Sequence, residues 1–63
     1  GETMVVAVQI NGKVRATIVL DRNSTESQAR EAALADGKIR DALKGAELKK
    51  VFYVPGRIIN FLI

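Results

Sequence analysis

Lysines and arginines are the residues of this chain that could bind a ligand, through their positive charge. Its 63 residues include ten lysines and arginines but no histidine and no cysteine. The usual general base, the commonest metal ligand and thiolate nucleophiles are therefore excluded. The acids between Asp21 and Glu47 recur about every five residues, which fits neither the helical nor the strand period, and no serine has a histidine to activate it. We predict no catalytic residue, no metal site and no cofactor.

The positive charge is concentrated in the second half of the chain. Residues 38–63 carry six lysines and arginines against two acids, a net charge of +4, whereas the whole chain has +3. A basic half on a small domain favours a polyanionic partner such as nucleic acid, although a solvated, lysine-rich surface has the same composition. From charge alone, Lys38 and Arg40 are predicted to contact RNA.

The first turn motif is Asn11-Gly12, which lies between β-branched segments at residues 4–10 and 14–20. Both turn residues tolerate the positive φ that a two-residue type I′ hairpin requires, so Ile10 is expected to pair with Lys13. Regular pairing would turn one set of side chains towards the helices: Val5, Ala7, Val14, Ala16 and Ile18. The opposite face would hold Val6, Val8, Ile10, Lys13, Arg15 and Thr17. A three-residue loop with a bulge would change this pairing.

Two helices are predicted between the hairpins. A polar cluster at residues 21–25 can cap a first helix over residues 25–35. The cap is one of two boxes, Asn23 with Glu26 or Thr25 with Gln28. Asp36 can cap a second helix over residues 37–44, and Gly45 should end it. The apolar positions expected in the core are Ala29, Ala32, Ala33 and Leu34, followed by Ile39, Ala42 and Leu43.

The second turn motif is Pro55-Gly56, between predicted strands at residues 47–54 and 57–63. Glycine after proline suits a type II turn, whose twist fits a two-residue hairpin poorly, so a longer loop is expected. The adjacent Lys49 and Lys50 should point to opposite faces of the strand, because side chains alternate along it.

The chain has one tyrosine and two phenylalanines, too few for a surface that stacks successive unpaired bases. Phe52 and Tyr53 are neighbours, so one should enter the core and the other should face solvent. Folded RNA, read through its shape and backbone, therefore fits this chain better than a single strand. Asn60 is the polar residue of an apolar strand, and it is expected to satisfy a turn backbone rather than to contact a base edge.

These elements follow the order ββααββ and predict an α+β fold, with two helices packed on one face of a four-stranded sheet. One domain is expected over residues 1–63, near the lower size limit for independent folding. Residues 1–3 are expected to precede the domain proper, as the remnant of a cut. No apolar run approaches the roughly 20 residues of a membrane span, and we expect a cytoplasmic monomer without membrane contact.

The two turn regions together resemble a known family. They comprise Val8-Gln9-Ile10-Asn11-Gly12-Lys13-Val14-Arg15 and, after a polar helix start, the run from Lys49 to Asn60 around Tyr53-Val54-Pro55-Gly56. In order and spacing they are similar to the C-terminal domain of bacterial-type leucyl-tRNA synthetases, over residues 6–63. The chain departs from that pattern at Arg22, where a proline-rich turn is common, and at Ala29, which is smaller than usual.

The resemblance implies a small non-catalytic module on a flexible tether. Such a module contacts the outer corner of tRNA, where the D and T loops meet, near the long variable arm. It holds leucine tRNA while the 3′ end reaches the aminoacylation and editing sites. The implied partners are therefore leucine tRNA and the remainder of the synthetase. The RNA contacts implied by position are Lys13, Arg15, Lys49, Lys50 and Arg57.

A second interpretation is a protein-interaction module, ubiquitin-like in its order of a hairpin followed by a helix. It would dock a partner through the aliphatic side chains of Val6, Val8 and Ile10. Salt dependence separates the two interpretations. RNA binding weakens steeply as salt rises, through counterion release, whereas an apolar contact does not.

Overall fold

Six elements form the fold of residues 2–63, which are the residues that the computed structural model describes. They are β1 (Thr3–Ile10), β2 (Lys13–Asp21), α1 (Glu26–Ala35), α2 (Gly37–Leu43), β3 (Lys50–Val54) and β4 (Ile58–Leu62). The strands form one sheet in the order β2-β1-β4-β3. β1 and β4 are parallel at its centre, and each pairs with its antiparallel partner on the outside. The predicted α+β fold and its ββααββ order are confirmed.

The first hairpin has the turn that its sequence predicts. Asn11 and Gly12 have φ values of 51° and 84°, as a type I′ turn requires. Ile10 pairs with Lys13 across the turn, so the loop has two residues. Because the twist of this turn matches that of the flanking strands, the hairpin stays paired up to its tip.

A β-bulge in β2 reverses the predicted faces of this hairpin. Gln9 pairs with Val14, but its neighbour Val8 pairs with Ala16, which leaves Arg15 as an extra residue. Because side chains alternate along a strand, one extra residue moves the remainder of β2 into phase with the other face of β1. The face predicted for β1 and for Val14 was therefore wrong.

The helices pack on the face that the bulge selects. Its buried side chains are Val6, Val8, Ile10, Ala16, Ile18 and Leu20, together with Ile59 and Phe61 of β4. The opposite face, called here the open face, carries Val5, Ala7, Val14, Thr17 and Val19 in the first hairpin. Ala16 and Ile18 thus lie in the core as predicted, whereas Val5 and Val14 are 61% and 56% exposed.

A capping box starts α1. Gln28 N donates to Thr25 Oγ1 over 3.2 Å, and Thr25 N donates to Gln28 Oε1 over 2.8 Å. The structure therefore forms the second of the two predicted boxes. Ala29 and Ala33 are fully buried, and their small side chains let the helix lie close to the sheet. The helix boundary agrees with the prediction within one residue.

Asp36 caps α2 as predicted. Its Oδ1 accepts hydrogen bonds from Lys38 N and Ile39 N over 2.8 and 3.3 Å. Ile39 and Leu43 are buried, as expected. Ala42 was predicted to lie in the core, but it is exposed. It is exposed because it borders an open depression beside the tip of the first hairpin.

The second hairpin has the longer loop that its twist predicts. Val54 pairs with Ile58, so Pro55, Gly56 and Arg57 form the loop. Arg57 N donates to Val54 O over 3.0 Å, and Gly56 has a φ of 74°, which is consistent with a type II turn. Regular pairing of β3 begins at Lys50, three residues later than predicted.

Replacing Thr25 with alanine should lower the free energy of unfolding by about 1 kcal/mol, because the capping box loses its side-chain acceptor. Urea titration followed by far-UV circular dichroism measures this change. Ser27→Ala is the matched control, since Ser27 lies in the first turn and its side chain makes no hydrogen bond within residues 2–63. Equal midpoints for the two variants would contradict the assigned cap.

Candidate nucleic-acid interface

Two asparagine side chains attach the first turn to β4. Gly12 N donates to Asn60 Oδ1 over 3.0 Å, and Ile63 N donates to Asn11 Oδ1 over 3.1 Å. A backbone bond from Asn11 N to Phe61 O, 2.9 Å long, adds a third link. The predicted turn-supporting role of Asn60 is confirmed. These three hydrogen bonds consequently fix the position of the hairpin tip, and of the residues that follow it, against the end of the chain at residues 60–63.

Three cations line an open depression beside this tip. Lys13 and Arg15 belong to β2, and Lys44 is the C-cap residue that directly follows α2. The remaining lining residues are Ile10, Asn11, Ala42 and Ile63, so the lining includes no aspartate or glutamate. We call this surface the hairpin depression. The sequence analysis missed Lys44, because only the tertiary packing of α2 brings it beside the first turn.

Lys49 and Lys50 lie at the same end of the sheet as the first turn. Lys50 pairs with Leu62, the last residue of β4. β3 is three strands away from β2, so Lys50 and Lys13 are separated across the sheet by about 14 Å, at ~4.8 Å per strand. Both lysines are exposed. This end of the domain therefore carries five of the basic residues: Lys13, Arg15, Lys44, Lys49 and Lys50.

Arg57 lies towards the opposite end of the sheet. The parallel pairing of β1 with β4 places the Pro55-Gly56 turn beside the start of β1, where it lines a depression with Thr3, Met4 and Arg22. The five contacts implied by the family resemblance are thus divided between the two ends. A ligand that touches all of them must extend along the length of the sheet.

The two cations chosen from charge alone lie on α2, outside the hairpin depression. Arg40 lines a separate depression with Asp41, Leu34 and Leu48. Lys38 is exposed at the start of the helix. Neither residue therefore extends the hairpin depression.

Most basic residues have no acidic partner. Within residues 2–63 the ion pairs are Arg22 with Glu2 and Arg30 with Glu26, the latter at 3.3 Å. The other lysines and arginines of this range have no carboxylate within 4 Å; they are Lys13, Arg15, Lys38, Arg40, Lys44, Lys49, Lys50 and Arg57. Their charge is compensated by solvent ions, which a polyanion can displace.

The open face of the sheet is apolar beside these cations. Phe52 is 48% exposed, and Lys50 Nζ lies 5.7 Å from the centroid of its ring. Val54 of the same strand is also exposed. Tyr53 instead packs against the core, so the predicted division of the two neighbouring aromatics is confirmed.

Known proteins similar to this chain are leucine–tRNA ligases. The chain is 48% identical over 62 residues to the enzyme of Rhodospirillum centenum and 44% identical to that of a Mycobacterium species, strain KMS. Each match covers 98% of this chain but 7% and 6% of the relative. The chain matches the C-terminal region of bacterial leucyl-tRNA synthetases. No protein-family model matches the chain.

A solved structure extends the similarity to leucyl-tRNA synthetases into three dimensions. It is the crystal structure of the ternary complex of an Agrobacterium radiobacter K84 leucyl-tRNA synthetase with tRNA and LeuAMS. It superposes with a TM-score of 0.91 at 39% identity, covering 98% of this chain and 8% of the neighbour. The resemblance noted in the two turn regions is thus confirmed, for a chain under a tenth as long as its synthetase relatives.

Asn60→Ala should lower the free energy of unfolding by about 1 kcal/mol, because Gly12 N loses its acceptor. The Gly12 amide should then exchange with deuterium faster than the other amides of the hairpin, as nuclear magnetic resonance can measure. Asn60→Asp keeps an acceptor oxygen at the same place, so its Gly12 amide should stay protected. Unchanged exchange in Asn60→Ala would show that the turn does not depend on this side chain.

Proposed function

We propose that this chain is a non-catalytic tRNA-binding domain of a leucyl-tRNA synthetase. It contacts the elbow of leucine tRNA near the long variable arm and holds the tRNA for aminoacylation and editing by the remainder of the enzyme. The observation that carries this proposal is the group of unpaired cations beside the rigid first turn. The structural neighbour with a TM-score of 0.91 is part of a synthetase solved together with tRNA.

Cations on a rigid sheet suit the RNA backbone. Contacts with phosphate fix the position of a nucleic acid without reading its bases, and the backbone and shape are what folded RNA presents on its surface. The mounting of Lys13 and Arg15 on an anchored hairpin reduces the conformational freedom that binding would otherwise remove. Lys38, Arg40 and Arg57 would reach the same RNA only along its extended surface.

The remainder of the synthetase is the second partner. The relatives are more than ten times longer than this chain, and the ligase reaction belongs to that remainder in this proposal. A flexible tether would keep the domain at a high effective concentration near bound tRNA, so weak contacts would suffice. The domain would act as a monomer in the cytoplasm, without a cofactor.

A contact with protein is the second candidate function. The side chains first assigned to it, Val6, Val8 and Ile10, are buried, so that surface is excluded. The open face instead exposes large apolar side chains: Val5, Val14, Val19, Phe52 and Val54. An exposed apolar patch of this kind is typical of a protein contact, and the longer remainder of the synthetase is the partner that the length of the relatives suggests.

Salt titration separates the two candidates. If about five phosphates are contacted, raising monovalent salt from 50 to 200 mM should weaken binding of leucine tRNA roughly 500-fold, by counterion release. Fluorescence anisotropy with labelled tRNA gives the affinities, and a tRNA of another specificity is the control. Salt-independent binding, or no binding at near-millimolar RNA, would contradict the tRNA proposal.

Removing both charges with Lys49→Gln and Lys50→Gln should reduce the slope of log affinity against log salt by about 2, since each phosphate contact contributes roughly one unit. Arg30→Gln is the control, because Arg30 lies on α1 and is paired with Glu26. A double variant with the slope of the wild type would remove these lysines from the interface.

A further inference from the structure

Lys44 occupies an unusual backbone position at the edge of the hairpin depression. It ends α2 with a φ of 51°, in the left-handed region, and its N–H donates to Arg40 O over 3.1 Å. Glycine or asparagine fills this position at lower backbone cost. Gly45 follows directly with a φ of 74°. The lysine is thus placed by the end of the helix and not by a strand.

The other wall of the depression is also rigid. Lys13 is the first residue after the turn that Asn11 and Asn60 fasten to β4. Arg15 is the bulged residue of β2, and bulges commonly redirect a side chain. Three cations from two elements therefore line one concave surface whose backbone positions are fixed by hydrogen bonds.

No aspartate or glutamate side chain lines this surface to balance the charge. Lys13, Arg15 and Lys44 have no carboxylate within 4 Å among residues 2–63. Three like charges on one concave surface repel one another and attract an anion. Arginine can bind two phosphate oxygens at once through its planar guanidinium, and lysines add point charges beside it. The site thus offers more donors than one phosphate needs.

We infer that Lys13, Arg15 and Lys44 together bind one phosphate group of an RNA backbone, with Lys44 as a contact that neither the sequence pattern nor the charge analysis assigned. The source of the phosphate rests on the proposed function, whereas the anion site rests on the geometry alone. This phosphate would anchor the first-turn end of the domain. Lys49 and Lys50, about 14 Å away at ~4.8 Å per strand, then contact other phosphates.

The anion site is tested first with inorganic phosphate. Nuclear magnetic resonance of the labelled chain, at constant ionic strength set with chloride, should show saturable shifts at the amides of Asn11 to Arg15 and of Lys44. Lys44→Asn removes the charge and keeps a residue that tolerates left-handed backbone, so the fold should persist by circular dichroism. Its phosphate affinity should fall at least threefold, by loss of one of three cations, while Arg30→Gln leaves it unchanged.

Leucine tRNA tests the source of the phosphate. Because Lys13 and Arg15 keep their contacts with that phosphate, Lys44→Asn should weaken binding of leucine tRNA by up to about eightfold at 0.1 M monovalent salt and reduce the salt slope by less than ~0.9, which are the values for losing a whole phosphate contact. Lys44→Arg should restore most of both. Arg30→Gln makes the same change in net charge on α1 and should match the wild type. This control separates a local contact from a general loss of positive charge.

The outcomes distinguish failure of the phosphate site from failure of the proposed tRNA-binding function. If tRNA binds with a steep salt dependence but Lys44→Asn behaves like Arg30→Gln, the proposed function stands and this phosphate site is overturned. If phosphate shifts disappear in Lys44→Asn while no tRNA binds at any salt, the assignment to RNA is overturned. Loss of both phosphate binding and the expected tRNA affinity in Lys44→Asn, with rescue by Lys44→Arg, supports the inference.

Discussion

The parallel pairing of β1 with β4 is the constraint on which the rest of the structure depends. It joins four residue pairs, from Ala7 with Ile58 to Ile10 with Phe61, and it unites two hairpins that would be marginal alone. Because the pairing is parallel, the two turns lie towards opposite ends of the sheet. The cations beside the two turns are therefore separated, although the sequence presents them as similar units. The same pairing brings Asn60 to Gly12 and so fastens the turn that carries Lys13.

Local features of this chain could be predicted from its sequence, and non-local ones could not. The type I′ turn, the cap at Asp36 and the longer loop after Val54 each depend on a few adjacent residues with definite backbone preferences. The bulge at Arg15 has no such signature, since a regular register is equally compatible with that segment. It decides which face of β1 is buried, so one unrecognised residue reversed the predicted faces. The position of Lys44 against the first hairpin depends on how α2 packs, and the residues next to Lys44 in the sequence do not indicate that packing.

The two faces of the sheet differ in burial. The packed face buries aliphatic side chains and Phe61 beneath helices whose contacts include the small Ala29 and Ala33. The charged residues are left outside this core, since no polar or charged residue is buried among residues 2–63. Changes to the surface cations should therefore have little effect on packing. Because its buried side chains are alanines, α1 lies close to the sheet and buries little side-chain volume. Such close packing suits a chain near the lower size limit of independent folding.

The placement of β4 at the centre of the sheet also governs how the chain reaches its folded state. Each residue of β1 that pairs with β4 precedes its partner by about fifty positions in the chain. Closing so long a loop costs conformational entropy before the pairing can stabilise the fold. The first hairpin and the two helices consist of local contacts and can form early, but β1 then keeps an unpaired edge until β4 arrives. An exposed edge is a template for pairing with another chain. During synthesis the order of events runs from the amino end, so this edge stays open to other chains until residues 58–61 have emerged.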